Sequence, residues 1–210
     1  MSKKKLARMI VVCIIAISII VVITILPSCQ SQPPTPPTYG LEFDGIDDYV
    51  NVGRNASVQN FTAKTVELWL KPTAYTGSYR YVFDGSYWGT DYGDMVPLEN
   101  NTNKLCIYVK NTAGNATWKT IDYTPDEWLQ IGYSWDGTTV AWYKNGVNAG
   151  NSSLSGTLAC SARNLTFGES ADGYLYYGGL MSEVRIWNYA RTEEEIQADM
   201  YSELLSLIHI

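Results

Sequence analysis

The sequence predicts an all-β sandwich, and three observations carry that prediction. Short segments alternate apolar and polar side chains with period two, as in GGLMSEVRIWNY from Gly178 to Tyr189. They are separated by turn-forming pairs such as Asp44-Gly45, Asp136-Gly137 and Asn145-Gly146. Trp and Tyr are abundant, at 7 and 16 of 210 residues, and such side chains suit a pleated, half-buried surface better than a helix.

The chain opens with MSKKKLAR and a long apolar run, MIVVCIIAISIIVVITIL. A basic start followed by an oily stretch is a membrane anchor or a long signal segment, so residues 1–29 are set apart from the folded body. Cations before the run and none just after it orient the N-terminus inward and the rest of the chain outward. Leu26-Pro27-Ser28-Cys29 resembles a bacterial lipobox with Pro at an unusual place, which makes Cys29 a candidate lipid anchor; an uncleaved helix is the alternative. Residues 30–39 are rich in Pro and Thr, cannot pair as strand, and form an extended spacer of roughly 25 to 30 Å. The formal charge of −6 includes Lys3, Lys4, Lys5 and Arg8; without those four cations the remainder carries −10, because every Asp and Glu follows residue 40. So acidic a body repels nucleic acid.

One domain of ordinary sandwich size fits residues 40–203. Leu41 and Phe43 alternate inward, Asp44-Gly45 turns the chain, and Tyr49, Val50 and Val52 resume the strand. Asp44, Asp47 and Asp48 crowd that bend, a density of oxygen ligands that suits Ca²⁺, although Asx turns explain the same residues without a metal. Phe61–Pro72 reads as a central strand with Val66, Leu68 and Leu70 on one face, Glu67 and Trp69 on the other. Tyr79–Gly85 is a further strand. Asp94–Glu99 and Lys104–Lys110 form a hairpin about residues 100–103, and Ala116–Tyr123 follows. Leu129–Trp135 and Val140–Lys144 meet at Asp136–Thr139, and Asn145-Gly146 suits the positive φ angles of a type I′ turn. Ser152–Cys160, Asn164–Gly168 and Tyr174–Tyr177 supply short strands. The strand from Gly178 runs into a helix: Thr192 and Glu195 have the spacing of a capping box, and Ile196, Met200 and Leu204 form its apolar stripe. This last strand is expected to pair with the first. The run Leu204–Ile210 lacks a cap and reads like translated adapter DNA rather than part of the domain.

LEFDGIDDYVNV, VELWLKP, WLQIGYSWDGTTVAWYKNG and GGLMSEVRIWNYARTEEEI together resemble the laminin G-like branch of the concanavalin A-like lectin/glucanase superfamily, over residues 40 to 201. The resemblance implies an antiparallel jelly roll, to which the residues themselves add the short C-terminal helix, and related sandwiches often hold a structural calcium. It leaves function open, because this architecture hosts binders, adhesins and hydrolases. Where relatives often carry His two residues after the tryptophan, this chain has Gln130. Related glucanases use a Glu-x-Asp-x-x-Glu strand, and no such run occurs here. Glu67 is then a hydrogen-bonded polar group rather than an acid catalyst. Asp122 with Asp126 and Glu127, or Glu169 with Asp172, are turn residues of the wrong spacing. The sole histidine, His209, lies in the apolar tail, which removes histidine-based catalytic and metal sites.

Binding fits better than turnover. A sugar ring stacks its C–H face on Trp or Tyr while Asp, Asn and backbone groups take its hydroxyls. Tyr87, Trp88, Asp91 and Tyr92 in one glycine-bearing loop, with Tyr174, Tyr176 and Tyr177 near another, are the candidate ligand residues. Trp69, Trp128, Trp142 and Trp187 belong to strong strand patterns and are assigned to the core. Cys106 and Cys160, on the outer side of a membrane, form either a disulfide or two small buried thiols. Sequons at Asn55, Asn60, Asn100, Asn115, Asn151 and Asn164 matter only in a glycosylating host. The expectation is a tethered, non-catalytic module whose partners are glycans or glycosylated surface proteins; its rivals are a structural envelope module and a divergent glycoside hydrolase.

Overall fold

The computed structural model describes residues 35–54, 61–86, 93–158 and 164–202. In chain order the strands are β1 (Leu41–Asp44), β2 (Val50–Gly53), β3 (Lys64–Pro72), β4 (Arg80–Asp84), β5 (Gly93–Leu98) and β6 (Lys104–Lys110). Then come β7 (Ala116–Asp122), β8 (Leu129–Trp135), β9 (Thr139–Lys144), β10 (Val147–Ser153), β11 (Leu165–Phe167), β12 (Gly178–Trp187) and the helix α1 (Glu193–Asp199). Two six-stranded antiparallel sheets result, ordered β1-β12-β3-β8-β9-β10 and β2-β11-β4-β5-β6-β7. Among the described residues no helix is long and apolar enough to cross a membrane; residues 1–29, with Cys29, lie outside them.

The core fills the space between the sheets. Val66, Leu68 and Leu70 of β3 and Ile131, Tyr133 and Trp135 of β8 face Val96 and Leu98 of β5 and Leu105, Ile107 and Val109 of β6. First and last strands pair as expected, Leu41 opposite Met181. The hairpins about residues 100–103 and 136–139 form, and Asn145 and Gly146 take φ of 51° and 74°, both left-handed.

Three local readings change. Leu41 points outward, 62 % exposed, and the two halves of Leu41–Val52 enter different sheets. The cause is the bend: Gly45 adopts φ 78°, and Asp44 caps it by accepting the Ile46 and Asp47 amides. On β12 the strict alternation fails because a bulge between Ser182 and Arg185 inserts a residue, with Glu183 at φ 51°. Met181 before the bulge lies in the core and Ile186 after it packs against the core, while Arg185 and Trp187 join the opposite face. In the expected Ser152–Cys160 strand the described residues after Ser153 contribute only a bridge between Leu158 and Phe61, and Tyr174–Tyr177 contributes only one between Tyr176 and Tyr81.

The helix starts as its sequence demands. Thr192 accepts the Glu195 amide and Glu195 accepts the Thr192 amide, with three glutamates in the first turn to complement the dipole. Ile196 and Met200 are buried, and Met200 O accepts Trp69 Nε1 at 2.7 Å, so α1 lies on the outer face of the β3 sheet. Trp142 is core as expected. Trp69 is buried beneath the helix instead, and Trp128 and Trp187 are only half-buried. Glu67 Oε1 there accepts Arg191 Nη1 at 2.5 Å and Trp187 Nε1 at 2.8 Å, and Arg191 also pairs with Asp199.

A second buried pair links the sheets themselves. Lys64 Nζ of β3 lies 2.8 Å from Asp94 Oδ2 of β5, and Tyr133 of β8 donates to the same carboxylate at 2.7 Å. Removing one partner of a buried pair strands the other charge, at a cost of about 3–5 kcal/mol, whereas apolar replacement of both is often near neutral. Lys64→Met is therefore expected to destabilise by that order, and Lys64→Met with Asp94→Leu to recover most of it. Urea unfolding of the set measures this; a Lys64→Met loss below about 1 kcal/mol would remove the pair from this role.

Candidate functional site

The helix lies on the outer face of the β3 sheet, and two clefts border β4 and β11 of the other sheet. Along β4 a register shift between Tyr81 and Phe83 lets Val82 and Phe83 both enter the core. Tyr81 and Asp84 remain on the outer side, with Tyr79 just ahead of the strand.

Residues 168–177 fold against that side as a tied loop. Gly168 donates to Val82 O at 2.9 Å and Tyr177 to Gly168 O at 2.8 Å. A Cβ on Gly168, already at φ 88°, would collide with the Phe43 ring, so the close approach needs glycine. Ser170 closes the loop, its amide and hydroxyl both donating to Tyr174 O at 3.0 and 2.7 Å. Tyr81 N donates to Leu175 O at 3.0 Å.

Asp84 joins this loop to the start of the β4–β5 connection. Its Oδ2 accepts the Ala171 amide at 2.9 Å, and its Oδ1 accepts the Ser86 amide at 2.9 Å and the Ser86 hydroxyl at 3.2 Å. Burial, partly offset by these hydrogen bonds, pushes its carboxyl up to about 6. Burial, then the nearby Asp84 charge, pushes the Tyr81 phenol up to about 12, so Tyr81 stays a neutral hydroxyl.

Two clefts flank the loop. One, of about 340 Å³, is bounded by Tyr79, Tyr81, Asp84, Ser170, Asp172 and Tyr174. The other, of about 560 Å³, is bounded by Tyr49, Asn51, Thr166, Glu169, Asp172 and Tyr176. Asp172 borders both. The first, mainly apolar, brings the exposed rings of Tyr79 (47 %) and Tyr174 (67 %) together with the Asp84 and Asp172 carboxylates and the Ser170 hydroxyl; the second is mainly polar.

Of the expected ligand residues, Tyr174 and Tyr176 reach these clefts, Tyr176 donating to Gly173 O at 3.0 Å. Tyr177 does not: it is wholly buried, stands edge-on to Phe43 and donates to Leu180 O. Tyr177 is thus a core residue and is withdrawn from the site. Tyr87, Trp88, Asp91 and Tyr92 lie outside the described residues, although Ser86 and Gly93 on either side of them belong to the Asp84 end of β4 and β5. Tyr79, Tyr81 and Asp84 were missed; their only sequence signal is the polar close of the YRYVFD run.

The acidic bend does assemble. Carboxylate oxygens of Asp44, Asp47 and Asp48 lie within 4.8 Å of one another, all exposed. Asp44 Oδ1 already accepts the Ile46 amide at 2.7 Å, and Asp48 Oδ2 accepts the Asp44 amide at 2.9 Å, so the Asx-turn account holds. The remaining oxygens are hard donors of the type calcium takes, with water needed to complete its shell. Cys106 is a free, half-buried thiol among the described residues, raised to about 11 by burial and then by Glu99; Cys160 lies outside them.

Comparison with known proteins adds a family. Pappalysin-1 of Mus musculus is 24 % identical over 191 residues, covering 81 % of this chain and 12 % of that protein. The Homo sapiens protein is 25 % identical over 191 residues, covering 81 % of this chain and 11 % of that one. The chain thus spans only about a tenth of the curated relatives it matches. Among solved structures, the Botulinum neurotoxin serotype D ligand binding domain in complex with N-acetylneuraminic acid is similar with TM-score 0.64 and 12 % identity, over 80 % of this chain and 43 % of that one. A Bacteroides ovatus protein provisionally assigned to carbohydrate binding is similar with TM-score 0.58 and 17 % identity, over 78 % and 48 % of the two chains. A heptameric pentraxin of Limulus polyphemus has TM-score 0.56 and 16 % identity, over 76 % and 80 %. At such identities the likeness is one of fold. The profile Laminin_G_3 matches residues 44–197, most of the chain, and the chain therefore belongs to the concanavalin A-like lectin/glucanases superfamily.

Proposed function

We propose that this chain is a membrane-tethered, extracytoplasmic binding module that holds carbohydrate in the cleft between Tyr79 and Tyr174. The observation that carries this reading is the cleft's make-up: two exposed rings, Tyr79 and Tyr174, line it together with Asp84, Ser170 and Asp172. A pyranose presents an apolar face to such rings and hydroxyls to such oxygens. The toxin domain bound to N-acetylneuraminic acid supports the reading by analogy of fold. The basic, then apolar, leader supports the tether. Calcium at Asp44, Asp47 and Asp48 is part of the same proposal.

The test is titration of the detergent-solubilised full chain on a glycan array, with Ca²⁺ and with chelator. Saturable binding to at least one glycan is expected, with Tyr174→Ala and Tyr79→Ala each weakening it roughly tenfold, in line with an aromatic contact. Loss of binding in chelator, reproduced by Asp47→Asn, is expected if calcium shapes the bend. Absence of any saturable glycan would overturn the reading.

The tether has its own test. Membranes are expected to retain the chain, and protease added to intact cells to remove the body. A full-length product found soluble in the cytosol would contradict it.

Asp84 links stability to pH. Its folded value of about 6 exceeds the ordinary 3.8, so the native state holds this proton more tightly than the unfolded chain between those limits. Burying the anion costs stability at neutral pH, and the cost is relieved as pH falls through about 6 towards about 4. The expected relief is on the order of 2–3 kcal/mol, absent in Asp84→Asn. Urea midpoints between about pH 7 and 4 measure it; identical pH slopes for wild type and variant would exclude Asp84 as its source.

A further inference from the structure

The larger of the two clefts holds a carboxylate that the fold itself leaves unused. Glu169 is 7 % exposed, yet among the described residues no donor and no cation reaches its side chain; the Thr166 hydroxyl bonds its backbone carbonyl instead. Burial alone holds its carboxyl above the ordinary range. Asp84, comparably buried, differs in this respect, since both of its oxygens are engaged by loop donors. Burying a carboxylate without a partner is costly, and such a group in a cleft marks a place that a cation completes.

The surroundings define that cation. Gly173 leaves the approach open, because the nearest atom to a Cβ placed there would be Glu169 Oε2, at 3.9 Å. Tyr176 borders the same cleft with its hydroxyl fixed on Gly173 O at 3.0 Å, and Tyr49 borders it half exposed. Burial, then the charges of Glu169 and Asp47, hold the Tyr176 phenol above its ordinary range, so two carboxylates act on one ring. Among the described residues no Lys or Arg borders the cleft. A bare divalent ion gathers about six to eight oxygens at close range. Here an uncommitted carboxylate is joined by two aromatic rings in a space of about 560 Å³. That setting suits an organic ammonium, whose charge meets a carboxylate on one side and ring faces on another.

The neighbouring cleft indicates what carries the ammonium, since Asp172 is a wall of both. We propose that the Glu169 cleft is a subsite for the ammonium group of an amino sugar, and that the ligand is a glycan with free amines rather than an N-acetylated or acidic one. This rests on the carbohydrate reading of the cleft between Tyr79 and Tyr174. N-acetylation removes the charge that Glu169 lacks, and an acidic sugar brings a second anion beside it. The acidic body favours encounter with a polycationic glycan in the same sense.

Calorimetric titration of the solubilised full chain with a β-1,4-linked glucosamine tetramer and with its fully N-acetylated counterpart tests the proposal, at mildly acid pH where the sugar amine carries its proton. The amine form is expected to bind roughly tenfold more tightly, and the difference to shrink as NaCl is added. Glu169→Gln is expected to remove the difference and leave the affinity for the N-acetylated tetramer unchanged. Because the carboxylate has no partner to lose, this variant is expected to melt no lower than wild type. Equal affinity for the two tetramers, or a preference that survives in Glu169→Gln, would overturn the ammonium subsite and leave the Tyr79–Tyr174 cleft intact. So would saturable binding of CaCl₂ alone that Glu169→Gln abolishes, since the carboxylate would then serve a metal. Failure of both tetramers, with another glycan bound on the array, would overturn the subsite alone; failure of both with no glycan bound there would overturn the two readings together.

Discussion

The buried pair between Lys64 and Asp94 is the interaction on which the geometry of the working end depends. Two apolar sheet faces can slide against each other with little change in buried area, because the hydrophobic effect has no direction. A cation and an anion sealed in that interface cannot. Lys64 and Asp94 satisfy one another, with Tyr133 as third partner, in one relative placement of β3, β8 and β5. Buried ion pairs are weak evidence for net stability and better regarded as devices that select one arrangement. Here the selected arrangement matters locally, since the Asp94 carbonyl accepts the Gly85 amide and Gly93 sits at φ 139° against Gly85. The pair thereby fixes the point at which the chain leaves β4 and re-enters at β5, beside Asp84.

The other sheet has a matching device on its outer face. Glu67 and Arg191, both nearly sealed from water, hold the turn before α1 against β3, and Asp199 closes the helix's far end onto the same guanidinium. The consequence is asymmetry. One outer face carries the helix, and the other carries the 168–177 loop with its clefts. A carboxylate in the middle of β3 would draw attention as a catalyst in a glucanase-like fold, yet its Oε1 is committed to Arg191 and Trp187 beneath the helix. Its chemistry is structural because of where the helix lies.

How much of this was legible in the sequence depends on the range of the cause. Asn145-Gly146 and the Thr192–Glu195 box are local, so residue type alone dictates the backbone, and both appear where expected. Period-two patterning gave the strands because burial of one face is a property of the strand itself. The bulge at Glu183 was not legible, because a non-glycine residue at positive φ carries no compositional mark and is imposed by pairing with β3. Tyr177 was grouped with Tyr174 and Tyr176 because all three sit in one aromatic run, yet positions 174 and 177 differ by an odd number, so period two sets Tyr174 towards solvent and Tyr177 towards the core. The Asp84 cleft needed strands far apart in sequence to be brought together before its rings and oxygens shared a space.

That assembly also bears on why the cleft favours gripping over cutting. Hydrolysis of a glycosidic bond asks two carboxyl groups to flank it, one free to give up a proton and one free to attack or to activate water. Asp84, the buried carboxyl of the cleft, has both oxygens engaged, one by the Ser86 amide and hydroxyl and the other by the Ala171 amide. All three hydrogen bonds favour its charged form, which opposes the proton-bearing state that a general acid needs. A group that must stay still for the site to exist is poorly suited to shuttle protons, and well suited to hold two loops at the spacing a bound ring requires. The rigidity that Lys64 and Asp94 impose from below and Asp84 imposes from the side is preorganisation, which would spare the proposed binding site part of the cost of ordering itself.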